Sequence, residues 1–270
     1  MDLIVEEKKK VKLDFSKPHI TYRNKNGQVV VGTTTAINKL DKPALPPWGF
    51  NMGREPMYSS IPEACKLLEV DTNKMTKEEA ILWAFATGNI RKNASLYGKR
   101  DKAAEIGTVA HEILHYRERG LEIDNSNIQE DVWKLALVCV ESHDKWFEGQ
   151  NIKTILFEKD FVSEEHLYGG TLDKLAEINN ELTVIDYKTG KDLYETNFIQ
   201  LIAYINLAIE QGYDVKRGIA VNMPKTKGSS FAIKSVTVET LFEAGYFEWF
   251  LSSRDAYYSE AKTKAFKNII

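Results

Sequence analysis

Apolar residues follow a helical spacing over the first half of this chain and shift to strand-like runs near residue 150. From about residue 49 to 149 the pattern predicts helices. Thr76 and Glu79 can form a capping box ahead of Ala80, Ile81, Leu82, Trp83 and Phe85, each side chain bonding the other residue's backbone N–H. A second helix is predicted over Ala103 to Arg119. Gly120 stops it, because glycine takes the left-handed backbone of a helix end at little cost. A third is predicted to start at Ser126, with Gln129 in the reciprocal cap position. Ile128, Val132, Leu135, Cys139 and Trp146 then recur at helical spacing until Gly149.

Beyond that point Ile152 to Val162, Tyr168 to Ile178 and Leu182 to Tyr187 read as strands, with Asn179-Asn180 as a two-residue turn between the last two. Phe198 to Glu210 is a mostly apolar helix ended near Gly212. Arg217 to Met223 and Phe231 to Val238 are two more strands, and Thr240 to Lys262 is a final amphipathic helix rich in aromatics. Near the start, His19 to Tyr22 and Val29 to Gly32 flank Asn26-Gly27, a hairpin signal, and a short helix is predicted through Thr35 to Leu40. Lys42-Pro43-Ala44-Leu45-Pro46-Pro47-Trp48 reads as a rigid connector. The order implies an α/β chain, a mixed central sheet flanked by helices with an N-terminal helical lobe. The expected division is a hairpin and connector at 1–47, a helical lobe with the His111 helix at 48–150, and a strand-rich core at 151–270. The last two are expected to pack as one compact domain.

Composition narrows the function classes. With 43% hydrophobic and 11% aromatic residues, the chain can bury enough surface to exclude disorder as its main state. Thirty-six Lys and Arg against 39 Asp and Glu give a net charge of −3, which excludes a uniformly basic coat but leaves room for a local basic groove. Two cysteines, Cys65 and Cys139, are too few for a disulfide framework, a cysteine-rich zinc site or a four-cysteine iron–sulfur cluster. No run approaches 18 apolar residues, and the first residues carry no apolar signal core. A reduced, cytoplasmic setting without membrane insertion is the expectation.

The stretches that carry chemistry are Gly169-Gly170-Thr171-Leu172-Asp173 and Val184-Ile185-Asp186-Tyr187-Lys188-Thr189-Gly190. Asp186 and Lys188 are two apart on a strand and so share a face. If Asn179-Asn180 is a two-residue turn, Ile178 pairs with Glu181. Counting back along both strands then sets Asp173 opposite Asp186, with Cβ atoms about 4.5–5.5 Å apart. Two opposed carboxylates repel unless something positive sits between them. Lys188 can serve, and a divalent cation serves better because it bonds both groups. Oxygen ligands in a partly open site favour Mg²⁺ or Mn²⁺ over Zn²⁺. A cation beside a lysine can lower the pKa of water and neutralise a phosphate, which fits phosphodiester hydrolysis. The bland alternative is a surface Asp-x-Lys ion pair beside an unrelated aspartate. The glycines before Asp173, the hairpin and the Thr-Gly after Lys188 weigh against it.

These residues resemble the PD-(D/E)XK nuclease superfamily, specifically its RecB-like, phage-type exonuclease branch. Gly107-Thr108-Val109-Ala110-His111-Glu112 is similar to the branch's histidine helix. Gly170-Thr171-Leu172-Asp173 is similar to its first acidic motif, and Ile185-Asp186-Tyr187-Lys188-Thr189-Gly190 to its second. Gln200-Leu201-Ile202-Ala203-Tyr204 is similar to the Gln-x-x-x-Tyr helix that follows. Thr33-Thr34-Thr35 with Leu40-Asp41-Lys42-Pro43-Ala44-Leu45 extends a weaker likeness to the start of phage-type members. The resemblance implies a restriction-endonuclease-like core. It implies one or two Mg²⁺ or Mn²⁺ ions held by His111, Asp173 and Asp186, with the Tyr187 carbonyl as a further ligand. Lys188 would be the catalytic lysine, acting with the two aspartates. Gln200, Tyr204 and Thr189 would support the site, and Glu158 is a lesser candidate. Members with an iron–sulfur cluster use four cysteines, so no cluster is expected. The implied partner is DNA, through a strand end, in a bacterial or phage-infected cell, for recombination, repair or phage DNA processing.

Two other readings compete. His111-Glu112-Ile113-Leu114-His115 matches the zincin pattern His-Glu-x-x-His, which would make a metallopeptidase of His111, Glu112 and His115. It needs a third ligand and leaves Asp173, Asp186 and Lys188 unexplained. A non-catalytic DNA-end-binding protein of the same fold is the other. Arg91, Lys92, Lys99, Arg100 and Lys102, and Lys225 and Lys227 in a later loop, are candidate phosphate contacts, though a charged run is more often a solvated face. Trp48 and Phe50 are better placed for packing than for stacking on bases.

Overall fold

The computed structural model describes residues 9–13, 20–40, 76, 79, 96–225 and 231–267, with the helix trace alone at 96–100 and 266–267. The chain divides into two compact units, Met1–Leu40 with Ile106–Ile270, and Asp41–Glu105. In the second unit the reciprocal capping box forms: Thr76 N donates to Glu79 Oε2 at 2.8 Å and Glu79 N to Thr76 Oγ1 at 3.2 Å. The helix expected after it, the proline-rich connector, Trp48, Phe50, Arg91, Lys92 and Lys227 lie outside the described residues, as do the side chains of Lys99 and Arg100.

The larger unit is built on a six-stranded mixed sheet. Its strands are β2 (Val31–Gly32), β4 (Ile152–Ser163), β5 (Tyr168–Ile178), β6 (Glu181–Lys188), β7 (Val215–Asn222) and β8 (Ala232–Thr237). A separate parallel pair joins β1 (Lys10–Lys12) to β3 (Glu122–Asp124). The helices are α1 (Thr33–Ile37), α2 (Leu96–Glu118), α3 (Glu130–Phe147), α4 (Glu195–Glu210), α5 (Val238–Glu243) and α6 (Tyr246–Lys267). A mixed sheet flanked by helices is what the order of elements implied. No described helix is long and apolar enough to cross a membrane.

Both faces of the sheet are covered, which explains the continuous apolar runs in its central strands. On one face Val184, Ala220, Leu172 and Leu175 pack with Leu201, Ile205 and Leu207 of α4, Ala36 of α1 and Phe250 of α6. On the other, Ile185, Tyr187, Ile219, Val221 and Ala176 pack with Val109, Ala110 and Ile113 of α2 and Val132, Ala136 and Cys139 of α3. Adjacent residues of β6 therefore belong to opposite cores, as the two-residue period of a strand requires.

Asn179 and Asn180 take φ of 51° and 66°, the doubly left-handed geometry of a tight hairpin turn, and Ile178 pairs with Glu181. The regular ladder runs back only to Lys174 with Ile185. It stops one pair short of Asp173 and Asp186. One edge of β5 pairs with β4 along its length. The other edge carries β2 at Tyr168 and Gly169 and β6 from Lys174 onward. Gly170 to Asp173 therefore lack a ladder partner on that edge, and this opening lies where the acids gather.

Several boundaries move. Ser126 does not cap α3. Its N–H is taken by Asp124 Oδ1 at 3.0 Å, which makes a single 3-10 turn, and α3 starts at Glu130. The final helix is two, because Gly245 at φ +76° ends α5 and Thr237 caps that short segment. The early helix starts at Thr33, not Thr35. The Asn26-Gly27 turn forms, but β2 then leaves its hairpin partner to pair in parallel with β5.

Candidate active site

β4, β5 and β6 each deliver one carboxylate to the opening beside β5. In β4 the pairs Phe157–Lys174 and Lys159–Leu172 bracket Glu158 opposite Asp173. Glu158 has φ 46°, left-handed backbone that a glutamate rarely adopts and that is found mainly where surrounding structure enforces it. His111 of α2 completes the group: its ligand nitrogen and the carboxylate oxygens of Glu158 and Asp173 all lie within 4.8 Å of one another. His111 Nδ1 stands 3.6 Å from Asp173 Oδ1. Asp173 Oδ2 accepts the backbone N–H of Tyr187 at 2.7 Å, in place of the missing ladder bond.

Asp186 is 1% exposed. Lys188 Nζ lies 2.6 Å from its Oδ2, but the angles are not those of a hydrogen bond, and this oxygen has no hydrogen-bond partner. The ammonium donates instead to Gln200 Oε1 at 2.7 Å. Gln200 Nε2 donates to Tyr204 Oη at 2.7 Å, one turn along α4, and to Thr34 Oγ1 at 3.2 Å. The line from Asp186 through Lys188 and Gln200 to Tyr204 and Thr34 fixes the lysine from the α4 side.

Electrostatics follow from this crowding. Burial pushes Asp186 up to about 6; Lys188 opposes that rise, and Asp173 adds to it. Burial, then Asp173, pushes Glu158 up to about 8. Burial works to raise Asp173 too, yet His111, Lys188 and the Tyr187 N–H hold it below the ordinary aspartate value. Burial works to lower His111, and Asp173 beside it overrides that and holds the imidazole above its usual value. Two of three neighbouring acids therefore hold a proton more tightly than an ordinary carboxylate does, the signature of a site short of positive charge.

Small residues permit these approaches. A Cβ on Gly107 would lie 2.7 Å from Thr189 Oγ1, so the glycine of the histidine helix lets the residue after Lys188 seat against it. A Cβ on Gly170 would lie 2.7 Å from both Thr33 Oγ1 and the Tyr204 ring, and one on Gly169 only 2.3 Å from the Tyr22 ring. Thr33 Oγ1 donates to Gly169 O at 2.9 Å.

The donor set fits a hard divalent cation. Glu158, Asp173 and His111 bring two carboxylates and one imidazole within ligand distance, and the neighbouring Asp186 has one buried carboxylate oxygen without a hydrogen bond. The zincin pattern finds no such support. His115 packs edge-on to Phe157, and among the described residues it joins no group of three ligand side chains. A second trio, Glu165, His166 and Glu210, lies at the far end of the β4–β5 hairpin, where Glu210 Oε1 already accepts from Ser163 and Asn206.

No family model matches the chain, and no curated protein matches it. Among solved structures it is similar to a Eubacterium rectale protein provisionally described as an exonuclease, at 13% identity and a TM-score of 0.37, over 57% of this chain and 68% of that one. It is also similar to an alkaline exonuclease from Laribacter hongkongensis, at 11% identity and a TM-score of 0.32, over 62% and 91%. That exonuclease in complex with dAMP gives 13% identity and a TM-score of 0.27 over the same shares. These likenesses are too weak to decide fold or function, which rest on the residues themselves.

Of the residues expected at the site, His111, Glu158, Asp173, Asp186, Lys188, Gln200 and Tyr204 are brought together, with the Tyr187 N–H on Asp173 and Thr189 against Gly107. Glu158 sits nearer His111 and Asp173 than its lesser rank implied. Lys225, a candidate phosphate contact, is half-buried, and burial lowers its pKa. Lys102 lies on α2 in the smaller unit. Thr34, Tyr22 and Asn222 were not singled out as site residues. Tyr22 Oη shares a hydrogen bond with Thr171 Oγ1 at 2.9 Å, and Thr171 donates to Asp160 at 2.5 Å. Only the Thr33-Thr34-Thr35 run carried a signal in advance.

Proposed function

We propose that this protein is a metal-dependent DNA nuclease, working as an exonuclease on a strand end. The observation that carries the reading is the cluster itself. Asp173 and Glu158 meet His111 within ligand distance, beside a buried Asp186 whose Oδ2 is paired only by the charge of Lys188. The exonuclease assignment, as opposed to an endonuclease, comes from the motif resemblance.

His111, Glu158, Asp173 and Asp186 would hold one or two Mg²⁺ or Mn²⁺ ions, with the Tyr187 carbonyl as a further oxygen. When bound, the cation neutralises phosphate charge and makes water a better nucleophile. Lys188 presents a point charge held by Gln200 and Asp186, suited to a non-bridging phosphate oxygen or to orienting water. The Tyr187 N–H keeps Asp173 aimed, and Thr34 and Tyr204 fix the Gln200 amide so that its oxygen faces Lys188.

The test is cleavage of end-labelled single- and double-stranded DNA with Mg²⁺, Mn²⁺ or EDTA, comparing the wild type with Lys188→Ala and Asp186→Ala. Cation-dependent release of mononucleotides from an end, lost in both variants, is expected. Cleavage that survives in both rejects the site. DNA binding without cutting under every metal supports a non-catalytic role.

A further inference from the structure

Asn222 ends β7 in register with Lys188 of β6. It is fully buried, and neither its Oδ1 nor its Nδ2 has a hydrogen-bond partner. Buried amides are nearly always satisfied, because an unpaired donor or acceptor forfeits its water without compensation. Among the described residues, the other buried side-chain atom in this condition is Asp186 Oδ2, two residues before Lys188 on the same strand. The face is settled by the alternation of β6 and β7. Ile185, Tyr187, Ile219 and Val221 pack on the α2–α3 side, whereas Val184 and Ala220 pack on the α4 side. Asp186, Lys188 and Asn222 therefore share the α4 side, with Lys188 and Asn222 as neighbours across a parallel pair.

An ammonium has three protons to donate. Two directions from Lys188 are occupied, toward Gln200 Oε1 and toward Asp186 Oδ2. Resting on the metal site proposed above, a divalent cation at Asp186 competes with the ammonium for the same carboxylate, and the two positive charges repel. The ammonium then needs another acceptor, and the unpaired carbonyl in register with it is that of Asn222.

We propose that Asn222 is a positioning residue: its Oδ1 receives Lys188 Nζ when a cation takes Asp186, so this buried amide without a hydrogen-bond partner is what allows cation and lysine to occupy the site together. Asn222 does not itself ligate the ion or touch the substrate. An apolar side chain of similar size would leave the ammonium on Asp186 and weaken the cation by competition. Loss of one hydrogen bond to a charged group is of the size of about a tenfold change in affinity.

The test is calorimetric titration of Mn²⁺ alone into wild type, Asn222→Leu, Lys188→Met and the double variant, with Asp186→Asn as reference and thermal melting of each. Asn222→Leu is expected to weaken Mn²⁺ about tenfold while melting no lower than wild type. In the Lys188→Met background the same substitution is expected to change Mn²⁺ affinity less than twofold. Equal weakening with and without Lys188, or no weakening at all, overturns the proposal. Asn222→Ala carries the same comparison if Asn222→Leu does not melt cooperatively. Failure of the underlying site looks different: Mn²⁺ then binds wild type and Asp186→Asn alike.

Discussion

Asp186 shows how far one residue can be set against its own surroundings. It is 1% exposed on the α4 side of the sheet, feels the charge of Asp173, and has Lys188 beside it for relief. Its raised pKa means that folding without a cation disfavours its charge. Asn has the same shape without that charge, and Lys188 keeps its hydrogen bond to Gln200. Asp186→Asn is therefore expected to stabilise the metal-free protein at pH 8 by on the order of 2 kcal/mol, following the conversion of pKa shift into free energy. It is expected to remove cation binding and cleavage as well. Denaturant melts in EDTA and Mn²⁺ titration check both, and a less stable variant would show that the ion pair with Lys188 outweighs the burial of the charge. Cys139 carries no comparable tension. It is fully buried, and burial pushes its thiol up to about 11, consistent with a packing role between α3 and the sheet.

At the level of elements, β5 positions the site by what it leaves out. Gly169 and Gly170 let Tyr22, Thr33 and Tyr204 approach the strand where side chains would otherwise stand. A methyl at Gly169 would meet the near end of the Tyr22 side chain, which has no room to swing aside without moving its backbone. Gly169→Ala is expected to cost about 1–3 kcal/mol by overpacking. Pairing it with Tyr22→Ala should recover part of that loss, and additive losses in a double-mutant cycle would show that the two do not meet. The hairpin of β5 and β6 was legible in advance, because two consecutive asparagines are among the residues that accept positive φ. The register of the two strands followed from that turn as far as Lys174 and Ile185, one pair before the acids. What the pattern did not contain was the early end of the ladder and the kink at Glu158, since a glutamate gives no sign of left-handed backbone. Ser126 misled because Asp124, two residues earlier, competes for the same N–H. The Thr34–Gln200 contact joins residues 166 apart in the chain, and Asn222 belongs to no motif; both emerge only when the sheet brings distant strands together.

For the whole molecule, the site couples stability to pH and to cations. Glu158 and Asp186 have folded-state pKa values of about 8 and about 6, above those of unfolded carboxylates near 4. The folded state thus binds protons more tightly than the unfolded chain. Stability from these two groups is fully present below the unfolded values and is lost as pH rises through 6 and then 8. In EDTA the melting temperature is therefore expected to fall between pH 5 and pH 8, over and above the change in a Glu158→Gln, Asp186→Asn double variant. A cation inverts the balance, because it binds the ionised carboxylates of the folded state and must displace their protons. Its stabilisation follows the logarithm of its concentration over its dissociation constant, reaching about 2.7 kcal/mol at a hundredfold excess. The rise in melting temperature on adding Mn²⁺ should accordingly be larger at pH 8 than at pH 6. Calorimetry at pH 6 in buffers of different ionisation enthalpy should show proton release on binding. An equal Mn²⁺ effect at both pH values, with no proton release, would mean that the cation sits away from Glu158 and Asp186. Asp186 would then need another explanation for being buried beside Lys188, and Glu158 for standing with Asp173 at His111.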